Sequence, residues 1–425
     1  MQQASVMRTR VAVSATYAAQ GFGYATVVTS LPGLKARTGI DDATISVVLL
    51  MGALLAAAGS VSAERIARRW SSRTAVVTGL LAQATGLALV AASTSVPPLI
   101  GSFVLFALGL GMVDASCNMQ GVALQQRLGR SILSTLFACL TIAAIAATLA
   151  QSGLANLGVT TGAVASLAVA VLIAAAVAVA VRPALVSGPV GAADDAHVPG
   201  PTAVAPAADA LTADAVAAEA GDPAPGPTTA PAREPLPRAG IWLFGALVAA
   251  AFVVDSAVAS WSTLYLREEL DAAATVAPLG YGAYLAAVLV ARLAGDPLVR
   301  RYGRVRVAAP TGLLAAVGLF VVALVPSPGA AVVGFALAGI GAGSLVPLAF
   351  SAAGELVPSR LDDVIARINL FNYVGALIGA VVIGLLSEAT GLGPAFLVPA
   401  LLLVPALAVI PRLGSASMLP ASSRT

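Results

Sequence analysis

Polar and apolar positions along the chain separate on the scale of whole helices rather than single turns. Apolar runs recur over 11–34, 44–63, 73–94, 97–124, 131–152 and 160–182. After a break they resume over 239–266, 275–298, 305–326, 329–353, 363–387 and 392–411. About 20 apolar residues in a helix cross the ~30 Å hydrocarbon core of a bilayer. Helix is the open structure that satisfies its own backbone in lipid, and the short alternating strands of a barrel are absent from the pattern. The pattern therefore predicts an all-α integral membrane protein with twelve transmembrane helices in two six-helix bundles. Arg8 and Arg10 before the first run resemble a signal peptide. A run of about 24 residues is too long for an h-region, so it is read as a retained first helix.

The break is a different material. Residues 183–238 hold 11 prolines in 56 positions, seven acids and only Arg233 and Arg238 as bases. No apolar period survives there, which predicts a disordered linker. The expected organisation is a first bundle over 1–182, the linker over 183–238, a second bundle over 239–412 and a disordered tail over 413–425.

Charge sets the orientation. If both termini and the linker are cytoplasmic, all 23 basic residues fall on that side except Lys35, Arg37 and Arg267. The positive-inside rule then predicts a multi-pass protein of the cytoplasmic membrane with both ends inside. Composition agrees, with 59% apolar residues, 10% charged and a mean hydropathy of +0.93. A water-soluble globule of this size has no interior large enough for that much apolar surface. No basic stripe or nucleic-acid motif is present, so nucleic acid is not an expected partner. Cys117 and Cys139 lie inside apolar runs and the single histidine, His197, lies in the linker. That leaves no metal cluster, no Ser/His/Asp set, and no phosphate loop for ATP. No cofactor and no enzymatic activity are expected, and proton chemistry within the membrane falls to carboxylates.

Both halves repeat one loop. After the second run comes Ser60-Val-Ser-Ala63-Glu64-Arg65-Ile-Ala67-Arg68-Arg69. After the eighth comes Arg292-Leu-Ala-Gly295-Asp296-Pro-Leu-Val-Arg300-Arg301-Tyr-Gly303-Arg304. With twelve runs and a central break, this resembles the major facilitator superfamily. Its cytoplasmic signature of glycine, acid and bases joins helices 2 and 3 and recurs between 8 and 9. The first copy departs from it, with Ser60 for Gly, Glu64 for Asp and Ala67 for Gly. The resemblance implies a pseudo-symmetric major facilitator fold, a functional monomer, and a cytoplasmic latch built from Glu64, Arg65, Arg68, Arg69, Asp296, Arg300, Arg301 and Arg304. Glu64 would face the start of span 11 and Asp296 the start of span 5. Ordinary positive-inside loops would give the same residues a simpler explanation.

Two acids stand inside the apolar runs, Asp114 in span 4 and Asp255 in span 7. A charge at that depth costs at least about 2.5–3.5 kcal/mol, so it faces a cavity or a partner. A carboxyl that gains and loses a proton as its exposure changes suits a proton-coupled carrier, and a structural carboxyl is the competing reading. Asn118 lies one turn beyond Asp114 on the same face. The segments 109–121 and 255–267 resemble spans 4 and 7 of the fucose-permease-like branch, in which an acid of helix 4 is associated with proton coupling. The branch's further acid in helix 1 is missing, and span 1 offers Tyr17, Gln20 and Tyr24 instead. Those three share a helical face, as do Asn369, Asn372 and Tyr373 of span 11, and Tyr281 with Tyr284 of span 8. Side chains with apolar bodies and polar tips suit a pocket for a moderately polar small molecule, or they simply bond helix to helix. Gly339, Gly341, Gly343 and Pro347 mark span 10 as closely packed or bendable.

The expectation is a permease that moves a small molecule by alternating access, with protons as the coupling ion and the bilayer as its setting. Span 5 lacks the glycine-rich signature of the superfamily's drug/proton antiporters. Proton-driven efflux of a metabolite or antibiotic stays as the alternative. A membrane enzyme or a transporter-like sensor lies further off.

Overall fold

The computed structural model describes residues 2–128, 132–185, 238–354, 356 and 361–413. Thirteen α-helices run through them. The first half holds α1 (Gln2–Thr38), α2 (Asp42–Arg69), α3 (Ser72–Ala92), α4 (Val96–Leu128), α5 (Leu133–Leu154) and α6 (Val159–Val181). The second holds α7 (Arg238–Leu264), α8 (Ala277–Tyr302), α9 (Arg304–Leu324), α10 (Pro328–Gly354), α11 (Leu361–Thr390), α12 (Leu392–Ala395) and α13 (Leu397–Leu407).

Local chemistry fixes the ends. Asp41 caps α2 by accepting the Thr44 N–H at 2.7 Å, and Ser71 caps α3 by accepting the Thr74 N–H at 3.1 Å. Gly303 and Gly391 precede α9 and α12 with φ of 83° and 86°, backbone that an L side chain resists. Several helices outrun their apolar cores. α2 continues through Glu64-Arg65-Ile66-Ala67-Arg68-Arg69, where Glu64 and Arg68 pair at 3.1 Å one turn apart. The last predicted span is broken at Phe396 into α12 and α13. Pro394, Pro399 and Pro405 crowd that stretch, and each removes a ladder donor.

Among the described residues ten helices are long and apolar enough to cross a membrane. α1 and the broken α12–α13 complete twelve passes. α1 falls short of the ten because its polar residues are many. They face inward: Thr16, Tyr17, Gln20, Thr29 and Ser30 are all buried. Apolar side chains cover the outside instead, and Leu54, Leu172, Val179, Trp242 and Leu293 are each more than 60% exposed. An outer surface so apolar is solvated by lipid.

Within the first half α1 packs on α5 and α6, and α4 on α2 and α3. Within the second, α7 packs on α11, and α10 on α8 and α9. The halves meet along α2–α11, α5–α8 and α1–α7. Glycines set several of these distances. A Cβ on Gly339 would run into the Tyr284 carbonyl oxygen, and one on Gly343 would come within 2.8 Å of the Val288 carbonyl oxygen. On the neighbouring face of α10 a Cβ on Gly341 would strike Ala315 of α9. The small residues of α10 thus bring α8 and α9 to backbone contact.

Residues 183–185, expected as the start of the linker, are docked on the first half. The Leu185 carbonyl accepts from Arg73 at 3.1 Å, the Ala184 carbonyl accepts from Thr9 at 2.8 Å, and Leu185 is buried. Two backbone carbonyls with partners explain why the chain does not leave at Val181. Residues 186–237 and 414–425, which hold nearly all of the expected linker and tail, lie outside the described residues.

Candidate functional site

Two polar clusters sit inside the bundles, one in each half. In the first, α1 and α4 exchange two hydrogen bonds. The Gln20 amide donates to Asp114 Oδ1 at 3.1 Å, and the Tyr17 hydroxyl donates to Asn118 Oδ1 at 2.8 Å. The two bonds are one turn apart on both helices, so the i, i+3 and i, i+4 spacings mesh like a zipper. Asp114 is 4% exposed and Tyr17 and Gln20 are each 2% exposed. The Tyr17 ring packs edge-on against Phe137 of α5, with centroids 5.2 Å apart.

The second cluster centres on Asp255 of α7. Its Oδ1 accepts the Tyr284 hydroxyl of α8 at 2.7 Å. Tyr284 stacks on Tyr281 with ring planes 14° apart. Arg292 lies farther along the same face of α8. It lines a small void with Asp255, closed by Phe252, Val288 and Val346. Tyr24 reaches this cluster from α1 and lies within the field of Asp255. The two clusters therefore approach each other through α1, which carries Gln20 to one and Tyr24 to the other.

The remaining expected site residues are spread more widely. Asn372 of α11 is buried, and among the described residues none donates a hydrogen bond to its side-chain oxygen. Tyr373 is partly buried on the same helix. The side chain of Asn369 lies outside the described residues, as does that of Asp296. Glu64 pairs with Arg68 of its own helix, and the side chains at 361–366, where the start of span 11 would receive it, lie outside the described residues. Arg65, Arg68, Arg69, Arg300 and Arg301 are exposed and Arg304 is partly buried. Arg69 stacks over Trp70 at 5.4 Å and Arg301 over Tyr302 at 5.3 Å, as loop arginines do at an interface.

Sequence reading counted the charges at the opposite end of the bundle only toward topology. There Lys35 of α1 pairs with Asp42 of α2 at 2.5 Å and with Glu268, beyond α7, at 2.6 Å. It thus ties the first half to the second. The Ala43 N–H donates to Glu388 of α11 at 3.2 Å, and the Ser152 hydroxyl donates to the Thr275 carbonyl. Burial lowers the pKa of Lys35, but its two carboxylate partners outweigh that and raise it above the ordinary 10.5. Glu269, at the end of a π-helical turn over Tyr265–Glu269, accepts the N–H groups of Leu392 and Gly393, the latter at 2.9 Å. The Lys35, Ala43 and Ser152 contacts close the interface between the halves at the end away from the chain termini, while the Glu269 contacts tie the second half to itself.

The fold and paired clusters can be set beside known proteins. The Major Facilitator Superfamily family model matches residues 243–422. An uncharacterized MFS-type transporter of Yersinia pestis is 25% identical over 388 residues, covering 90% of each chain. Over its second half the chain is similar to the major facilitator superfamily, and along most of its length to that MFS-type transporter. The chain also superposes on a bacterial homologue of the human lysosomal transporter Spinster, in an inward-facing and unoccupied conformation. That match has a TM-score of 0.69 and 13% identity, and it covers 97% of both chains. The Major Facilitator Superfamily transporter FucP in an outward conformation gives a TM-score of 0.56 at 15% identity, covering 99% of this chain and 100% of FucP. Likenesses at these identities are likenesses of fold.

Proposed function

We propose that this transporter is a proton-coupled permease of the cytoplasmic membrane, working as a monomer with both termini inside. It carries a small polar solute inward by alternating access of its two halves. The observation that bears most weight is the Asp114 carboxyl, buried at 4% exposure and held by an amide from a neighbouring helix. A carboxyl at such depth is costly, and acids retained there mark substrate and ion paths. Asp255 on the facing half is the second proton carrier, with Tyr284 as its partner. Tyr17, Gln20, Tyr24, Asn118, Asn372 and Tyr373, with Asn369, supply the polar lining.

In this mechanism the Lys35 bridge holds the extracellular face closed while the solute and proton leave to the cytoplasm. Opening that face separates Lys35 from Glu268. The cytoplasmic arginine loops, with Glu64 and Asp296, then close the other face. The test is uptake by sealed proteoliposomes under an imposed pH gradient, with a panel of sugars, polyols and nucleosides followed in both directions. Uphill accumulation on the acidic-outside gradient is the expected result. Accumulation driven only by the reverse gradient would make the protein an exporter.

A further inference from the structure

Arg292 is the charged group within the bundle that the coupling scheme does not use. It sits inside the eighth predicted span, about 15 Å of helix before the end of α8. None of the described residues hydrogen-bonds or ion-pairs with its guanidinium. It nevertheless lines the same void as Asp255, against Phe252, Val288 and Val346. The void has room for only about 10 Å³, the size of one water or one carboxylate oxygen. A guanidinium at membrane depth normally finds a carboxylate or backbone carbonyl. Asp255 is near enough for the two charges to attract each other, yet its Oδ1 accepts from the Tyr284 hydroxyl. The Arg292 side chain thus borders a small, largely apolar space beside the Asp255 carboxyl.

We infer that Arg292 is the anchor for an anionic group on the transported solute, a carboxylate or a phosphate, whose neighbouring hydroxyl or ammonium group binds Asp255. The planar fork of arginine matches both oxyanions in a two-point contact once the void, which holds a single oxygen in this conformation, widens as the halves move. Phe252, Val288 and Val346 strip water from the pair, which strengthens it. The close approach of α8 to α10 at Gly339 and Gly343 holds the Tyr284–Arg292 face in place. This inference rests on the carrier reading for its solute, but the anion site itself needs no proton coupling.

The experiment uses the purified full chain in detergent, with sodium acetate and inorganic phosphate as probes at ionic strength held constant with sodium chloride. Either anion is expected to raise the melting midpoint saturably. Arg292→Gln is expected to weaken that apparent affinity at least tenfold, with Arg292→Lys between the two. The arm that responds more strongly assigns carboxylate or phosphate. An equal response in Arg292→Gln, or no saturable response to either anion, overturns the site. If Arg292→Gln fails to insert, protection of Arg292 from phenylglyoxal by the same anions replaces it, and unprotected labelling overturns the site. Asp114→Asn is expected to keep the anion response. Loss of proton-driven uptake alongside an intact anion response would therefore separate the two readings.

Discussion

The Gln20 amide of α1 donates to the Asp114 carboxylate of α4 across 3.1 Å, in a place that bulk water barely reaches. Asparagine at 114 keeps an acceptor for Gln20 and removes the proton-exchanging group. Asp114→Asn is therefore expected to insert and fold normally. Uphill accumulation under a pH gradient should fall to background while downhill exchange of solute continues. Proteoliposome flux, measured with and without the gradient, checks this. Gln20→Ala strips a buried acid of a donor and is expected to cost about 1–3 kcal/mol of stability.

Lys35 offers a conformational test. Its side chain is 22% exposed and that of Glu268 is 31% exposed, so the bridge is worth no more than about 1 kcal/mol. Lys35→Met is expected to shift the population by up to roughly fivefold toward the state open at that face. Accessibility of a cysteine placed beside Glu268 reads the shift.

The same bridge has a pH signature. The Lys35 pKa is raised above 10.5. A cation with a raised pKa adds its stabilisation below the free value and loses it as pH rises through the raised one. The face is expected to stay closed at neutral pH and to loosen only above about 10.5, and Lys35→Met should abolish that alkaline transition.

Packing between α8 and α10 makes a third case. Gly339→Ala would drive a methyl into the Tyr284 carbonyl and is expected to cost about 1–3 kcal/mol. Gly101→Ala has open space around it and should be neutral or stabilising by up to about 1 kcal/mol. Thermal melting in detergent compares them, and the Tyr284–Asp255 contact should fail with the first variant alone.

The Glu64–Arg68 pair is a contrasting surface case. Its side chains are 38% and 52% exposed. Glu64→Gln is expected to change the melting midpoint hardly at all, and a loss of transport without loss of stability would give Glu64 its role in the cytoplasmic latch.

The twelve passes were legible because membrane helices announce themselves by length and apolarity, properties of contiguous sequence. The inward face of α1 was legible too, since Tyr17, Gln20 and Tyr24 repeat at helical spacing. Cross-helix partners were not. That Gln20 meets Asp114 and Tyr17 meets Asn118 depends on the packing of α1 on α4, which no local period encodes. Arg292 was hidden for a related reason. It opens the stretch that reads as a loop signature, yet it faces Asp255 of a different helix. Lys35 was counted for topology alone, because a single basic residue in a short loop carries no mark of the acid it will meet 233 positions later.

The inward polar stripe of α1 bears on how the protein is made. α1 leaves the ribosome before α4, α5 and α6, yet it is among the least oily of the described helices, and Tyr17, Gln20 and Ser30 find their cover against those later segments. Its final seating in the bilayer must therefore await the synthesis of those later segments. Until then it depends on the insertion machinery to shelter it.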